Sequence, residues 1–373
     1  MLVIAGPESP RTLYYEPTSA VPSAHLGHGG LGNFWHGVIP TGGRENFAGS
    51  QPTDFEQLCA WFYPGLEVAA RLGKPFLFVP WKPIRPAKAW LRLGAERGGK
   101  LKLIRQTARR FELGNGVVVH TDAGTYRASR VWVCAGALQT PALLDRSLGR
   151  VVSRGMISDH VLCYLGQVDR KVNPEVAAPR LERTTHGVWF PAGYDAAGTA
   201  LVTSRPARFE FRRLDFGIEQ RAVFGLPPST VLAKLLRGRS AGLIAEALYN
   251  RAGLFPGARM QSIYAQLVVR DAYEVQDGGE SLVRRQDTIR SATDALRATF
   301  GLQGLQPSRR PDLGLPMIHL HHSVDARAAA AAGLNTTQSL VRVADASMYE
   351  NIGPEHHSFK VMVGAFVMAR AAQ

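Results

Sequence analysis

Cysteine is scarce in this 373-residue sequence. The three present, Cys59, Cys134 and Cys163, have no metal-ligand spacing and form no disulfide framework. Long hydrophobic runs are missing too. No stretch approaches the roughly 20 apolar residues of a membrane span. The opening MLVIAGPESP lacks a basic n-region and a cleavage site, so it does not read as a signal peptide. These absences make a reducing cytoplasm the expected compartment. No G-x-S-x-G elbow raises a nucleophilic serine. The histidines stand at no ligand spacing with carboxylates or cysteines, so no metal site is expected. Internal repeats and low-complexity tracts are absent. Acidic residues are in deficit: 30 Asp and Glu face 44 Lys and Arg, a formal net charge of +14.

That deficit is local. Between Lys82 and Arg110 the basic residues face one acid, Glu96, and RPARFEFRR adds Arg205, Arg208, Arg212 and Arg213. Such clusters favour anionic partners: an acidic membrane surface, a charged substrate or nucleic acid. Trp81 and Trp90 interleave with the first cluster, a pattern that can stack single strands. No nucleic-acid motif accompanies it, and nucleic acid is not the expected partner. With 45% hydrophobic residues the chain can bury a large core, enough for two domains or one large two-part domain.

The pattern alternates short strands and helices. MLVIAG reads as a buried strand, and PTDFEQLCAWFYPGLEVAARLG as a helical stretch broken by Pro64, with Asp54 near its start. From Leu103 onward a strand meander turns at Gly114–Gly116 and Asp122–Gly124 and ends in RVWVCAG. TPALLDRSLG follows as a helix expected to open at Thr140, with Pro141 in its first turn. That strand–turn–helix unit presents backbone N–H groups at the strand's carboxyl end. The middle of the chain is rich in strand-like runs, including GVWFPAGY, ALVTSR, ARFEFRRLDF and SIYAQLVVR, with helices expected near Ser229 and Asp287. At the carboxyl end SLVRVADAS is a strand closing on Asp345, and SFKVMVGAFVMARAA a long helix beginning near Ser358.

Histidines crowd into this last unit. Of 11 in the chain, His319, His321, His322, His356 and His357 all lie there. Four stretches, in the right order, resemble the glucose–methanol–choline (GMC) oxidoreductases. HLGHGGLGNFWHG is similar to the family's glycine-glycine…tryptophan loop, VWVCAGALQTPALL to its AGA-x-x-TP-x-LL segment, and GMISDHVL to its Asp-His segment. LVRVADASMYENIGPEHHSFKVMVGAFVMA resembles the closing strand, catalytic loop and helix.

The resemblance implies an α/β fold: a Rossmann-like FAD-binding domain with a sheet-rich α+β substrate domain inserted. Residues 1–164 and 311–373 would form the FAD-binding-like part and 165–310 the substrate domain. It implies an FAD-dependent oxidoreductase acting on CH–OH groups of a small-molecule or glycan alcohol. An alcohol holds its hydroxyl proton tightly, so a base must accept it as hydride leaves. Imidazole, with a pKa near ~6.5, suits that task. The family's second catalytic position falls nine residues after the serine of Asp-x-Ser; from Ser347 that is His356, the expected base. The strand position makes His321 the first catalytic position; Ser323-Val324-Asp325 replaces the family's Gly-Thr after it, and His319 or His322 could fill the role instead. His357 stands where the backbone faces the flavin. The other cofactor contacts implied are Gly29, Gly30, Asn33, Trp35, Ala135, Gly136, Asp345, Ala346 and Ser358.

The phosphate-binding part is missing from this pattern. No G-x-G-x-x-G joins a first strand to a helix. MLVIAGPE resembles the family's second strand without its glutamate, and GHGGLG at 27–32 lacks both a preceding strand and a following helix. The expected Rossmann-like domain is therefore incomplete at its amino-terminal side. Three readings follow: a shortened flavoenzyme, whose lost segment a partner chain can supply; a reduced flavin site; or a non-catalytic relative used as a binding subunit. FAD occupancy of this chain is expected to be low, because the pyrophosphate loses its usual N–H donors.

Overall fold

The computed structural model describes residues 1–6, 10–11, 24–25, 27–34, 37–42, 50–74, 76–82, 84, 88–89, 92, 94, 96, 98, 101–169, 172, 182–191, 193–194, 200–204, 260–276, 279–283, 306–307, 314–316, 320–336, 338–350 and 357–372. Strand β1 (Leu2–Ala5) is followed by helix α1 (Pro52–Phe62), whose amino terminus carries Pro52 and a reciprocal cap between Gln51 and Asp54. As the sequence predicts, α1 stops before Pro64. Next come β2 (Lys102–Arg105), the antiparallel meander β3 (Ala108–Gly114), β4 (Gly116–Thr121) and β5 (Thr125–Ala128), then β6 (Val131–Val133) and α2 (Gly136–Leu148). Strand β7 (Met156–Asp169) pairs antiparallel with β8 (Met260–Gln276) in a seven-stranded sheet. The register of β7 against β8 shifts between Tyr164 and Gly166. Helix α3 (Ala326–Ala331), strand β9 (Val341–Val343) and helix α4 (Ser358–Arg370) complete the chain. The expected helices near Ser229 and Asp287 and the ARFEFRRLDF run lie outside the described residues.

Two short parallel pairs stand at the base of the site: β1 with β2, and β6 with β9. The meander, α2, α3 and β9 close around one core. Phe111, Val117, Val133, Leu144, Val324, Leu334, Val341 and Val343 are buried there, with Ile4 and Val131 packed against it. A second core joins α1 and α4 to a four-stranded sheet through Ile39, Cys59, Phe62, Phe78, Trp189, Phe359 and Val363. In that sheet Gly187 lies so close to its neighbour that a Cβ would sit 2.3 Å from the Val79 carbonyl oxygen, which only glycine avoids. Helices α1 and α4 are tied by an ion pair: Arg370, at the end of α4, donates to both carboxylate oxygens of the fully buried Asp54.

Helix α2 departs from the sequence expectation. It begins at Gly136 rather than Thr140, so Pro141 lies inside the helix. Pro141 has no N–H to give the Ala137 carbonyl one turn back, which would leave that buried oxygen bare. The Ser323 hydroxyl fills the gap, donating to Ala137 O at 2.5 Å. A distant side chain thus supplies the missing helical hydrogen bond. Thr140 does not cap the helix; its hydroxyl goes elsewhere.

Candidate active site

Parallel strands point their carboxyl ends the same way, and those of β6 and β9 converge. Val131 N donates to Leu340 O at 2.8 Å and Ala344 N to Val133 O at 2.9 Å. Directly beyond lies Asp345, held extended and mostly buried. One carboxylate oxygen accepts from Gly136 N at 2.8 Å and from the Thr140 hydroxyl at 2.5 Å; the other accepts from Ser347 N at 2.9 Å. One carboxylate therefore fastens the first turn of α2 to the turn after β9, and a charged acceptor makes each of these bonds stronger than a neutral one.

The Leu320–Val324 segment crosses the same place as a strap. His321 exchanges both backbone hydrogen bonds with Ser158 at 2.9 Å. His322 N donates to Ala346 O at 3.1 Å and Val324 N to Ser347 O at 3.0 Å. His322 does not continue a strand: its φ of 59° puts it in the left-handed region. Its ring, buried, has Nε2 4.0 Å from Glu350 Oε1. The His321 and His357 rings are both buried, with centroids 5.1 Å apart, edge to face at 62°. His357 is the residue on which α4 begins, with Ser358 the first residue of the helix.

Beside the histidines the floor is open. Ala135 and Cys134 are exposed, and around the left-handed Gly136 (φ 84°) a Cβ would meet nothing within 4 Å. The Cys134 thiol is nevertheless pushed up to about 12, first by the protein atoms crowded around it and then by the Asp345 carboxylate. Cys134 stays a neutral thiol, not a nucleophilic thiolate. The Tyr349 phenol is likewise pushed up to about 12, by burial and then by Asp345 and Cys134. The Ser347 hydroxyl oxygen, fully buried, has no hydrogen-bond partner among the described residues.

Of the residues expected to form the site, the structure brings together Ala135, Gly136, Asp345, Ala346, His321 and His357 with Ser358. His356, His319 and Trp35 lie outside the described residues. Gly29, Gly30 and Asn33 form a local turn, with Gly30 N on Gly27 O at 3.0 Å and Asn33 Nδ2 on His28 O at 2.7 Å. Sequence reading overlooked Ser323, Thr140, Cys134 and Tyr349. Only Ser323 had a usable signal: a proline inside a helix calls for a donor from elsewhere. Among the described residues, no group of three or more His, Cys, Asp or Glu is placed to hold a metal, and no helix is long and apolar enough to cross a membrane.

No protein-family model matches the chain, and no curated protein matches its sequence. Among solved structures it is similar to a pyridoxine 4-oxidase from Mesorbium loti, at 18% identity and TM-score 0.42 over 89% of this chain and 71% of that one. It is also similar to a fungal aryl-alcohol oxidase, at 13% identity and TM-score 0.47 over 99% and 93%. A formate oxidase from Aspergillus oryzae RIB40 overlaps at 13% identity and TM-score 0.31 over 73% and 60%. With identities this low and TM-scores under one half, these likenesses carry no argument about activity, which has to come from the residues.

Proposed function

We propose that the chain is a GMC-like, flavin-dependent oxidoreductase acting on the CH–OH group of a small-molecule or glycan alcohol. The observation that carries this reading is the convergence of a buried imidazole pair, His321 and His357, with the exposed strand ends at Cys134–Ala135 and the turn at Asp345–Ser347. Ala135, Gly136, Ala346 and the backbone at His357 and Ser358 would hold a flavin, which would need the space that a Cβ at Gly136 leaves open. A bound flavin supplies a two-electron hydride acceptor. The chain's part is the proton: an imidazole nitrogen of His356 takes it from the substrate hydroxyl, while His321 holds the same oxygen in line. The carbinol becomes a carbonyl as its hydride leaves. The basic clusters favour an anionic or membrane-presented alcohol.

The diphosphate end fits less well. The sequence has no G-x-G-x-x-G turn joining a strand to a helix whose backbone N–H groups would meet a diphosphate. This favours a second reading, a flavin-poor relative that acts as a binding subunit. The absorption spectrum of the purified protein separates the two. The chain alone is expected to purify with little or no FAD. Joining it to a strand–GxGxxG–helix segment should give a yellow, reducible protein. A stoichiometric flavin spectrum from the chain as it stands would leave the reduced-site form of the enzyme reading. A colourless protein in both cases would leave the binding subunit.

A further inference from the structure

His321 stands inside the Leu320–Val324 strap, and residues on either side of it meet the first turn of α2. Leu320 is buried in one apolar cluster with Ala137 and Leu138 of α2 and Ile157 of β7. Ser323, fully buried, donates its hydroxyl to the Ala137 carbonyl. The strap's backbone is fastened elsewhere. His321 pairs with Ser158, and the Ser323 carbonyl accepts from Arg154 N at 3.0 Å. His322 and Val324 donate to Ala346 O and Ser347 O. Between His321 and Ser323 lies the left-handed turn at His322. A residue other than glycine keeps that conformation only where its surroundings hold it. The bonds on both sides of His322 do so, and the side chains of Leu320 and Ser323 tie the strap to α2.

The anchor exists because of Pro141. In an unbroken helix the Ala137 carbonyl accepts from the N–H of residue 141, and proline has none to give. With an N–H at 141 that oxygen would be engaged along the helix axis, and a hydroxyl from the strap would have to share it. The bond that repairs the helix is, from its other end, a tie on the strap two residues beyond His321. Ala137 is itself held in place: the neighbouring Gly136 amide donates to Asp345, which fixes this turn of α2 against the turn after β9.

We propose that Ser323 is a positioning residue for His321, and that Pro141 serves it by keeping the Ala137 carbonyl open. Through that bond the first turn of α2 sets where the His321 imidazole stands against His357, whose ring lies edge to face with it at 5.1 Å between centroids. Supporting contacts of this kind hold a reacting group to the accuracy its chemistry needs. A misplacement of about 1 Å costs roughly 10²-fold in rate. The bearing on catalysis rests on the oxidoreductase reading; the placement of the ring does not.

The test reads the ring by NMR in the full chain, without flavin or substrate, so it stands or falls apart from that reading. Histidine is labelled with carbon-13 at Cε1, and the His321 signal is assigned by its loss in His321→Gln. It is followed at fixed pH beside denaturant unfolding. In Ser323→Ala the signal should shift or broaden as the ring leaves its place against His357. Ser323→Thr, which retains a hydroxyl, should keep the parent position. The decisive variant joins Ser323→Ala to Pro141→Ala. There the helix regains its hydrogen bond and most of the stability returns, but the strap stays untied, so the His321 signal should remain displaced. If Ser323→Ala alone fails to fold, this double variant carries the test. An unchanged signal in Ser323→Ala would overturn the proposal. So would a signal restored to its parent position in the double variant, because Ser323 would then serve the helix and not the histidine.

Discussion

The β6–α2–β9 region and the β1–β2 pair are both parallel two-stranded units on one core, yet they are held in different ways. The first is cross-braced by side chains: Asp345 to Gly136 and Thr140, Ser323 to Ala137, Asn335 along β9. The second shows its ladder and the packing of Ile4, and leaves Leu2 and Leu103 each 40% exposed. Bracing by side-chain-to-backbone bonds fixes a surface to the accuracy that proton transfer needs. The contrast separates a region braced across long sequence distances from one held chiefly by its own ladder.

The largest expected effect isolates the reaction centre. His356→Ala, measured on the flavin-loaded form, should lower turnover by about 10²–10⁴-fold without releasing flavin. His357→Ala should disturb the flavin spectrum more than the rate. Near-normal turnover of His356→Ala would move the base to His321 or His322. Next in size is the tie between α1 and α4. Arg370→Met leaves the buried Asp54 carboxylate with its cap but without its cation. Since Arg370 is itself half-exposed, a loss of about 2–3 kcal/mol in denaturant unfolding is expected.

The bracing itself is tested through the proline. Ser323→Ala orphans the Ala137 carbonyl and should cost about 1–3 kcal/mol. Adding Pro141→Ala returns an N–H to that carbonyl, so the double variant should recover most of the loss. Additive losses would show that the two residues are not coupled. The smallest effect concerns the basic cluster in the sequence: charge reversal at Arg205, Arg208, Arg212 and Arg213 should weaken binding to acidic vesicles or acidic glycans, and less so at high salt. If the unaltered protein binds neither, that cluster serves something else.

Much of the local structure was legible in the sequence. Periodicity and turn residues placed α1, the meander, β6, β9 and α4, because each is decided within a short window. The start of α2 was misread for a physical reason. Pro141 signals a first helical turn only if no other group can satisfy the carbonyl one turn behind it, and Ser323 does so from 186 positions away. Thr140 was read as a cap by the same local logic, whereas its partner Asp345 stands 205 residues on. The pairing of His321 with His357 is equally nonlocal. The histidines were visible as residues, but their geometry depends on the strap formed with Ser158 and on the left-handed turn at His322.

Asp345 also sets an order of events during synthesis. It lies 209 residues after Gly136, so the first turn of α2 leaves the ribosome long before its acceptor exists. Until the last part of the chain emerges, the Gly136 amide and the Thr140 hydroxyl must be satisfied by water, and the Ala137 carbonyl waits for Ser323 as well. Closing contacts of such sequence separation is slow. This region is therefore assembled only after Asp345 has emerged, and a nascent chain halted short of Asp345 should hold a folded meander beside an unfinished first turn of α2.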